Sequence, residues 1–174
     1  YQEQGVFDYL GVASGPNEVE LQYIETGLFD AVITHNRYTL LNTNADPLID
    51  AAAARGMAVL NAAPYGSGML SRGPESYPRY AYQQAPDHLI ARTEQIREIC
   101  NRYGVPLAAA ALQFSMLDPR ITVTIAGMSR PDRVASTIEL ASIDIPAAVW
   151  SEIEALGPAD TGDPEIYRFK ELQK

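Results

Sequence analysis

The sequence predicts an α/β fold with a parallel sheet, either open and doubly wound or closed as a (β/α)8 barrel of which this chain supplies about half. Three observations point there. Short apolar runs alternate with helical stretches four times over, helix-start and helix-stop residues punctuate each pair, and one long Gly/Pro/Tyr-rich segment interrupts the series. The chain has 174 residues, 47% of them hydrophobic, which is enough to bury one core of ordinary domain size. A complete eight-unit barrel takes about 250 residues, so four units amount to roughly half of one. The chain also opens on Tyr1 rather than Met, and the expectation is a truncated piece of a longer polypeptide. Edge strands of a half barrel leave backbone groups unpaired, so self-association or pairing with another chain is expected.

Taken in order, residues 6–13 (VFDYLGVA) form a β-rich run, and Asn17 with Glu20 then gives a capping-box-like helix start that stops at Gly27. Residues 29–34 (FDAVIT) make a second strand. Asp46 and Pro47 follow as N-cap and first-turn proline of an alanine-rich helix ended by Gly56. Residues 57–62 (MAVLNA) are a third strand, and residues 121–126 (ITVTIA) a fourth, with Ser129, Pro131 and Asp132 marking the next helix start. Between the third and fourth strands lie the long segment, residues 64–86, and two helical stretches. One reaches Tyr103 with Ile96, Ile99 and Cys100 at helical spacing; the other starts at Pro106. Open sheets and barrels alike bind ligands at strand C-termini.

Composition removes several function classes. Acidic residues outnumber basic ones 22 to 13, a formal charge of −9, which argues against a partner whose phosphates must be neutralised in bulk; no nucleic-acid partner is expected. No apolar run approaches the ~20 residues of a membrane-spanning helix, and the N-terminus lacks a signal-peptide pattern, so no membrane partner is expected. The lone Cys100 excludes an internal disulfide framework and a cysteine zinc cage, and no Asn-x-Ser/Thr acceptor occurs; a cytoplasmic location is the expectation.

Chemistry concentrates after the strands. Ala63-Pro64-Tyr65-Gly66-Ser67-Gly68-Met69-Leu70 follows the third strand, and its glycines let the backbone approach a ligand while successive amides cradle phosphate; the same pattern also serves as an ordinary turn. Gly127-Met128-Ser129-Arg130-Pro131-Asp132-Arg133 carries the fourth strand into a helix, where free amides, the macrodipole and two arginines favour an anion, although a solvated arginine pair beside a plain cap fits the spacing equally. His35 ends the second strand, placed either to contact a ligand or to satisfy a backbone partner. Tyr38 and Tyr65 follow strands and are within reach of a site, Tyr77, Tyr80 and Tyr82 decorate the long loop, and His88 is a surface residue. Lys170 and Lys174, the only lysines, fall in the C-terminal tail, so the strands carry no Tyr/Lys proton-transfer pair. No zinc-spaced ligand cluster and no nucleophile elbow are present, and no metal is expected.

Together these segments resemble the C-terminal half of the aldo-keto reductase family, (β/α)8 barrels that reduce carbonyls or oxidise alcohols with NADP or NAD. Leu10-Gly11-Val12-Ala13-Ser14 is similar to the family's fifth strand, residues 34–41 to its sixth, residues 61–70 to its seventh and residues 125–137 to its eighth with the adenosine-phosphate helix. Thr34-His35-Asn36-Arg37-Tyr38-Thr39-Leu40-Leu41 and Asn61-Ala62-Ala63-Pro64 are most similar to the branch of aldose dehydrogenases acting on fucose, galactose or D-threo-aldoses, a pyridoxal 4-dehydrogenase among them. The resemblance implies that Ser14 and His35 contact the nicotinamide carboxamide, His35 standing where glutamine is usual and donating one hydrogen bond. It implies that Tyr65, Gly66, Gly68 and Met69 close over the pyrophosphate, and that Gly127, Met128, Ser129 and Arg133 hold the adenosine phosphate, with Arg133 the charge partner. Ala62 stands where many members stack an aromatic ring, Gly127 where many have lysine, and Thr137 where asparagine is frequent, which leaves NAD against NADP open. The family's catalytic Asp, Tyr, Lys and His belong to its first four units, so no catalytic residue is expected in this chain. The expected partner is a small sugar or aldehyde, and the other reading is a non-catalytic half barrel that binds nucleotides or assembles with a partner.

Overall fold

Strands and helices alternate as the pattern predicts, each strand shorter than its apolar run. In the computed structural model, which describes residues 1–165, the order is β1 (Gly11–Ala13), α1 (Asn17–Glu25), β2 (Ala31–His35), α2 (Asp46–Ala54) and β3 (Ala58–Ala62). The long segment then forms a 3-10 turn (Gly66–Gly68), α3 (Met69–Arg72) and a small hairpin of β4 (Arg79–Tyr80) and β5 (Gln83–Gln84). It is followed by α4 (Asp87–Arg102), α5 (Leu107–Met116), β6 (Val123–Ile125), α6 (Asp132–Ser142) and α7 (Ala147–Ala155). The sheet order is β1-β2-β3-β6 with every pairing parallel, as four consecutive βα units require. Lys170 and Lys174 lie outside the described residues.

Three sequence expectations are corrected, and one helix is added. Residues 6–10 are not strand: only Gly11–Ala13 finds β2 as a partner, and the first residues close local turns such as the Gly5 amide on the Gln2 carbonyl (2.9 Å). The capping box at Asn17 does not form, because Pro16 takes the N-cap and the Asn17 amide instead donates to Asn44, 2.8 Å from its carbonyl. Asp46 does not cap α2 either; Ala45 does, and the Asp46 carboxylate pairs with Arg120 at 2.9 Å. Finally α7 had no counterpart in the sequence reading, yet Val149 and Ile153 bury it against the core that α4 shares.

Strand alternation builds the layers. Val32 and Val59 point back into a core with Ile24, Leu48, Ile49 and Ala52 of α1 and α2, while Ile33 and Leu60 point to the other face, beside Ala13 and Ala31. A second core gathers Met69, Leu70, Leu89, Ile96 and Ala109 from α3, α4 and α5. A polar chain crosses the interior: the Asn61 amide donates to the Tyr38 carbonyl (2.9 Å) and the Ser115 hydroxyl (2.8 Å), and Ser115 meets Thr124 at 2.7 Å. It ties β3, α5 and β6 together. No helix of the described residues is long and apolar enough to cross a membrane.

Glu20 is the anomaly of the interior. Its carboxylate is buried and accepts the Ser14 amide at 2.7 Å. Burial pushes it from the usual 4.5 up to about 7, against the opposing pull of the Ser14 amide and the Arg37 charge. Between those two values the folded chain holds a proton that the unfolded chain has lost. The part of stability linked to Glu20 is therefore full below pH 4.5 and falls as pH rises towards about 7. Chemical denaturation across this window is expected to show the decline, and Glu20→Gln, which keeps an acceptor for Ser14 without the charge, to flatten it by about 1–2 kcal/mol once solvent screening is allowed for.

Candidate functional site

Parallel pairing sets the C-terminal ends of the strands on one edge: Ala13 beside Ile33, His35 beside Ala62, and Ala62 beside Ile125. Close to the strand ends, the loops leaving that rim hold Asn36 (φ 59°), Ala63 (60°) and Ser67 (58°) in the left-handed region, and the hairpin further along adds Ala81 and Tyr82. Such strain persists where surrounding contacts over-determine it and concentrates at functional sites. Here the Tyr80 hydroxyl donates to the Asn36 carbonyl at 2.6 Å and the Ser67 hydroxyl to the Asn36 side-chain oxygen at 3.3 Å.

A cleft of about 440 Å³ opens between the loops after β3 and β6. The β3 side contributes Tyr65, Ser67, Gly68, Ser71 and Arg72; the β6 side contributes Gly127, Ser129, Arg133, Ser136 and Thr137. Two guanidiniums and six hydroxyls line it, and among the described residues no carboxylate does, in a chain of net charge −9. Arg72 is braced by the Tyr77 ring, 3.8 Å below its guanidinium carbon, and a Cβ at Gly68 would lie 2.8 Å from the same guanidinium. The Tyr65 hydroxyl is buried beside Thr137 and Arg133; burial raises its pKa, partly countered by hydrogen bonding to Thr137 and by the Arg133 charge. Two arginines, six hydroxyls and no carboxylate among the described lining residues fit a phosphate-bearing ligand.

The turn itself is closed on its own carbonyls. The amides of Gly66, Gly68 and Leu70 donate to Ala63, Tyr65 and Tyr65 (3.0, 3.0 and 3.1 Å), and that of Met69 to Gly66. An amide cradle of the kind the Gly-Ser-Gly spacing suggested is therefore not what this loop presents; its side chains are. Gly66 is needed for a different reason, since a Cβ there would lie 2.7 Å from the Tyr80 ring.

At the other end of the rim His35 sits in a carboxylate-backed cluster. Its Nδ1 is 3.2 Å from Glu165 Oε1 and its Nε2 3.0 Å from the Tyr82 hydroxyl, with the two rings stacked at 5.7 Å. Glu165 is buried, also accepts from the Asn36 amide (3.3 Å), and lies 3.5 Å from the Arg37 guanidinium, itself buried and paired with Asp163 at 2.8 Å. Burial works to raise the Glu165 pKa, but the His35 hydrogen bond, the Arg37 charge and Asn36 outweigh it and hold the carboxyl below its usual range.

Of the sequence-predicted residues, Tyr65, Gly68, Gly127, Ser129 and Arg133 come together in the cleft. Ser14 and His35 stand on the same rim but outside that cavity, Ser14 with its amide on Glu20. Met69 is fully buried in the second core, and Met128 turns to a separate apolar groove with Met116 and Ile138. Arg130 pairs outward with Asp132 at 2.7 Å. Tyr38 does not reach the rim: its ring stacks on Phe114 and its hydroxyl donates to Asp118, because Asn36 in the left-handed region reverses the chain just before it. The sequence reading missed Arg72, Ser71 and Ser136, which only helix phase reveals, and the pairing of His35 with Glu165, 130 residues away, which no local signal announces.

Comparison with known proteins agrees with this architecture. The family model described as "Aldo/keto reductase family" matches residues 1–158. D-threo-aldose 1-dehydrogenase of Pseudomonas sp is 32% identical over 152 residues, covering 86% of this chain and 46% of that enzyme. Pyridoxal 4-dehydrogenase of Microbacterium luteolum is 29% identical over 150 residues, covering 84% and 44%. The holo form of the aldo-keto reductase AKR11C1 from Bacillus halodurans superposes with a TM-score of 0.73 over 96% of this chain and 55% of that one, at 22% identity, a likeness of fold. The chain spans about half the length of the curated relatives it matches, and its four parallel βα units correspond to about half of a (β/α)8 barrel. On the family match over most of its length, the chain belongs to the aldo/keto reductase family.

Proposed function

We propose that this chain carries the dinucleotide-binding part of an NAD(P)-dependent oxidoreductase, one that oxidises an aldose or similar alcohol, or reduces the corresponding carbonyl. The observation that carries the reading is the acid-free cleft where Arg133, in the first turn of α6, faces Arg72 and a set of hydroxyls. Arg133, Ser129 and Thr137 hold the adenosine phosphate, Tyr65 and Arg72 the pyrophosphate, and Ser14 and His35 lie where the nicotinamide end would fall. The nicotinamide, when bound, supplies the hydride acceptor or donor; this chain's residues bind and orient it. Sites selective for NAD place a carboxylate on the ribose 2′-hydroxyl, whereas a guanidinium suits a 2′-phosphate. The cleft therefore favours NADP. The similarity to D-threo-aldose 1-dehydrogenase and to L-galactose dehydrogenase of Arabidopsis thaliana supports an aldose as substrate. Proton transfer by the family's Asp, Tyr, Lys and His belongs to barrel units outside these 174 residues, so the chain alone binds without turnover. The single, buried Cys100 suits a cytoplasmic setting.

The sheet edges favour a second reading, a half barrel that assembles with a partner. β1 and β6 end the sheet, and around β6 the side chains of Val123, Ile125 and Ile138 are 45%, 37% and 62% exposed.

Fluorescence titration of the purified chain is expected to show saturable NADPH binding that weakens with salt. Arg133→Ala should weaken NADP binding about tenfold and largely erase its preference over NAD; no saturable binding by the parent chain overturns the proposal. Sedimentation should show concentration-dependent association that Val123→Lys reduces, and a chain that stays monomeric at high concentration removes the second reading.

A further inference from the structure

Among the described residues, Glu20 is a buried ionisable group to which the nucleotide reading gives no task. It stands near the start of α1 on the stripe that faces the sheet, between Asn17 and Ile24, and is 1% exposed. The parallel ladder that fixes β1 ends at Ala13 beside Ile33, so Ser14 is the first residue past the pairing. Glu20 Oε1 accepts the Ser14 amide there, at 2.7 Å. Oε2 is buried as well and has no hydrogen-bond partner among the described residues. We propose that Glu20 is a positioning residue for Ser14 at the nicotinamide end of the rim, and that gain or loss of its proton sets how firmly the tip of β1 is held and so how tightly the nicotinamide binds.

The geometry makes that hold depend on charge. An ionised carboxylate is about twice as strong an acceptor as a neutral one, and past Ala13 no ladder bond shares the load. Glutamine would satisfy the Ser14 amide at lower cost than a buried charge, so structure alone does not call for the carboxylate. Burial disfavours its ionised form, whereas the Ser14 amide and the Arg37 guanidinium favour it, and the N-terminal end of α1 adds to them. Arg37 reaches Glu20 from the loop after β2 and is shared with Asp163 at 2.8 Å and Glu165 at 3.5 Å. The other acids nearby are turned away: Glu18 and Glu25 of α1 are exposed, and Asp46 and Asp50 of α2 pair with Arg120. Asn17, and Thr34 on the buried face of β2, carry no charge. Because the ionised state holds Ser14 more firmly, ligand and proton oppose each other, and affinity rises with pH through the titration of Glu20, which burial brings to about 7. The role rests on the placement of Ser14 at the nicotinamide end proposed above.

Two measurements on the purified chain test it. In the free chain, proton–nitrogen NMR should show the Ser14 amide moving downfield as pH rises, with a midpoint at about 7, and Glu20→Gln should abolish the movement. NADPH, whose nicotinamide ring is uncharged, is then compared with 2′-phospho-ADP-ribose, the same framework without nicotinamide. Both carry the 2′-phosphate, so its own ionisation cancels in the ratio of their affinities. That ratio should rise about threefold in favour of NADPH between about pH 6 and about pH 8 in the parent chain and stay constant in Glu20→Gln. Any effect of His35 or His88 persists in the variant and drops out of the difference. A Ser14 amide that does not titrate, a ratio that is flat in the parent, or one that changes equally in parent and variant overturns the inference while phosphate binding at Arg133 stands; the first two outcomes need no variant. A chain that binds neither probe overturns the nucleotide reading and the positioning role with it.

Discussion

The in-register parallel pairing of β2 with β3, five residues long from Ala31 beside Ala58 to His35 beside Ala62, is the constraint on which the rest depends. A parallel ladder forces each connection to return to the starting edge through a helix, so every loop that follows a strand collects on one rim. Register also decides which side chains face which layer. A slip of one residue would turn Thr34 and Asn61 out of the core and break the chain of hydrogen bonds from Asn61 through Ser115 to Thr124. That buried polar chain is worth little as net energy, but a mispaired strand would leave its members unsatisfied, which penalises the alternatives.

The rim built this way is electrically divided. At the β3 and β6 end, arginines and hydroxyls face the cleft with no acid among the described lining residues, although acidic side chains predominate in the chain as a whole. At the β2 end, Glu165 and Asp163 gather around Arg37 and the back of His35. A low-dielectric cleft focuses the local field, so a polyanion is drawn to one end and kept from the other. The strained residues Asn36, Ala63 and Ser67 mark the seam between the two ends, Asn36 held by the Tyr80 hydroxyl on its carbonyl and by Ser67 on its side chain.

Much of this was legible locally, and the reasons for the exceptions are physical. The four βα units followed from apolar periodicity and from the stops at Gly27 and Gly56, whose left-handed φ values of 68° and 69° suit glycine. Caps were less legible: Asn17 and Asp46 are good capping residues, but proline and alanine ahead of them took the position, and their side chains found longer-range partners in Asn44 and Arg120. On the β6 side of the cleft, Arg133 and Ser129 were legible because a helix start announces itself in sequence. Arg72 was not, since its relevance depends on how α3 packs against the β6 loop.

By itself the sequence determined the parallel α/β class, the succession of units, and the presence of glycine-rich and arginine-bearing loops after the third and fourth strands, because strand length, helix period and punctuation are local properties. Only the tertiary structure decided that the glycine loop spends its amides on itself, that Tyr38 turns into the core, and that His35 meets Tyr82 and Glu165. The last of these depends on contacts between residues 47 and 130 positions apart, and no short-range pattern encodes a distance of that kind.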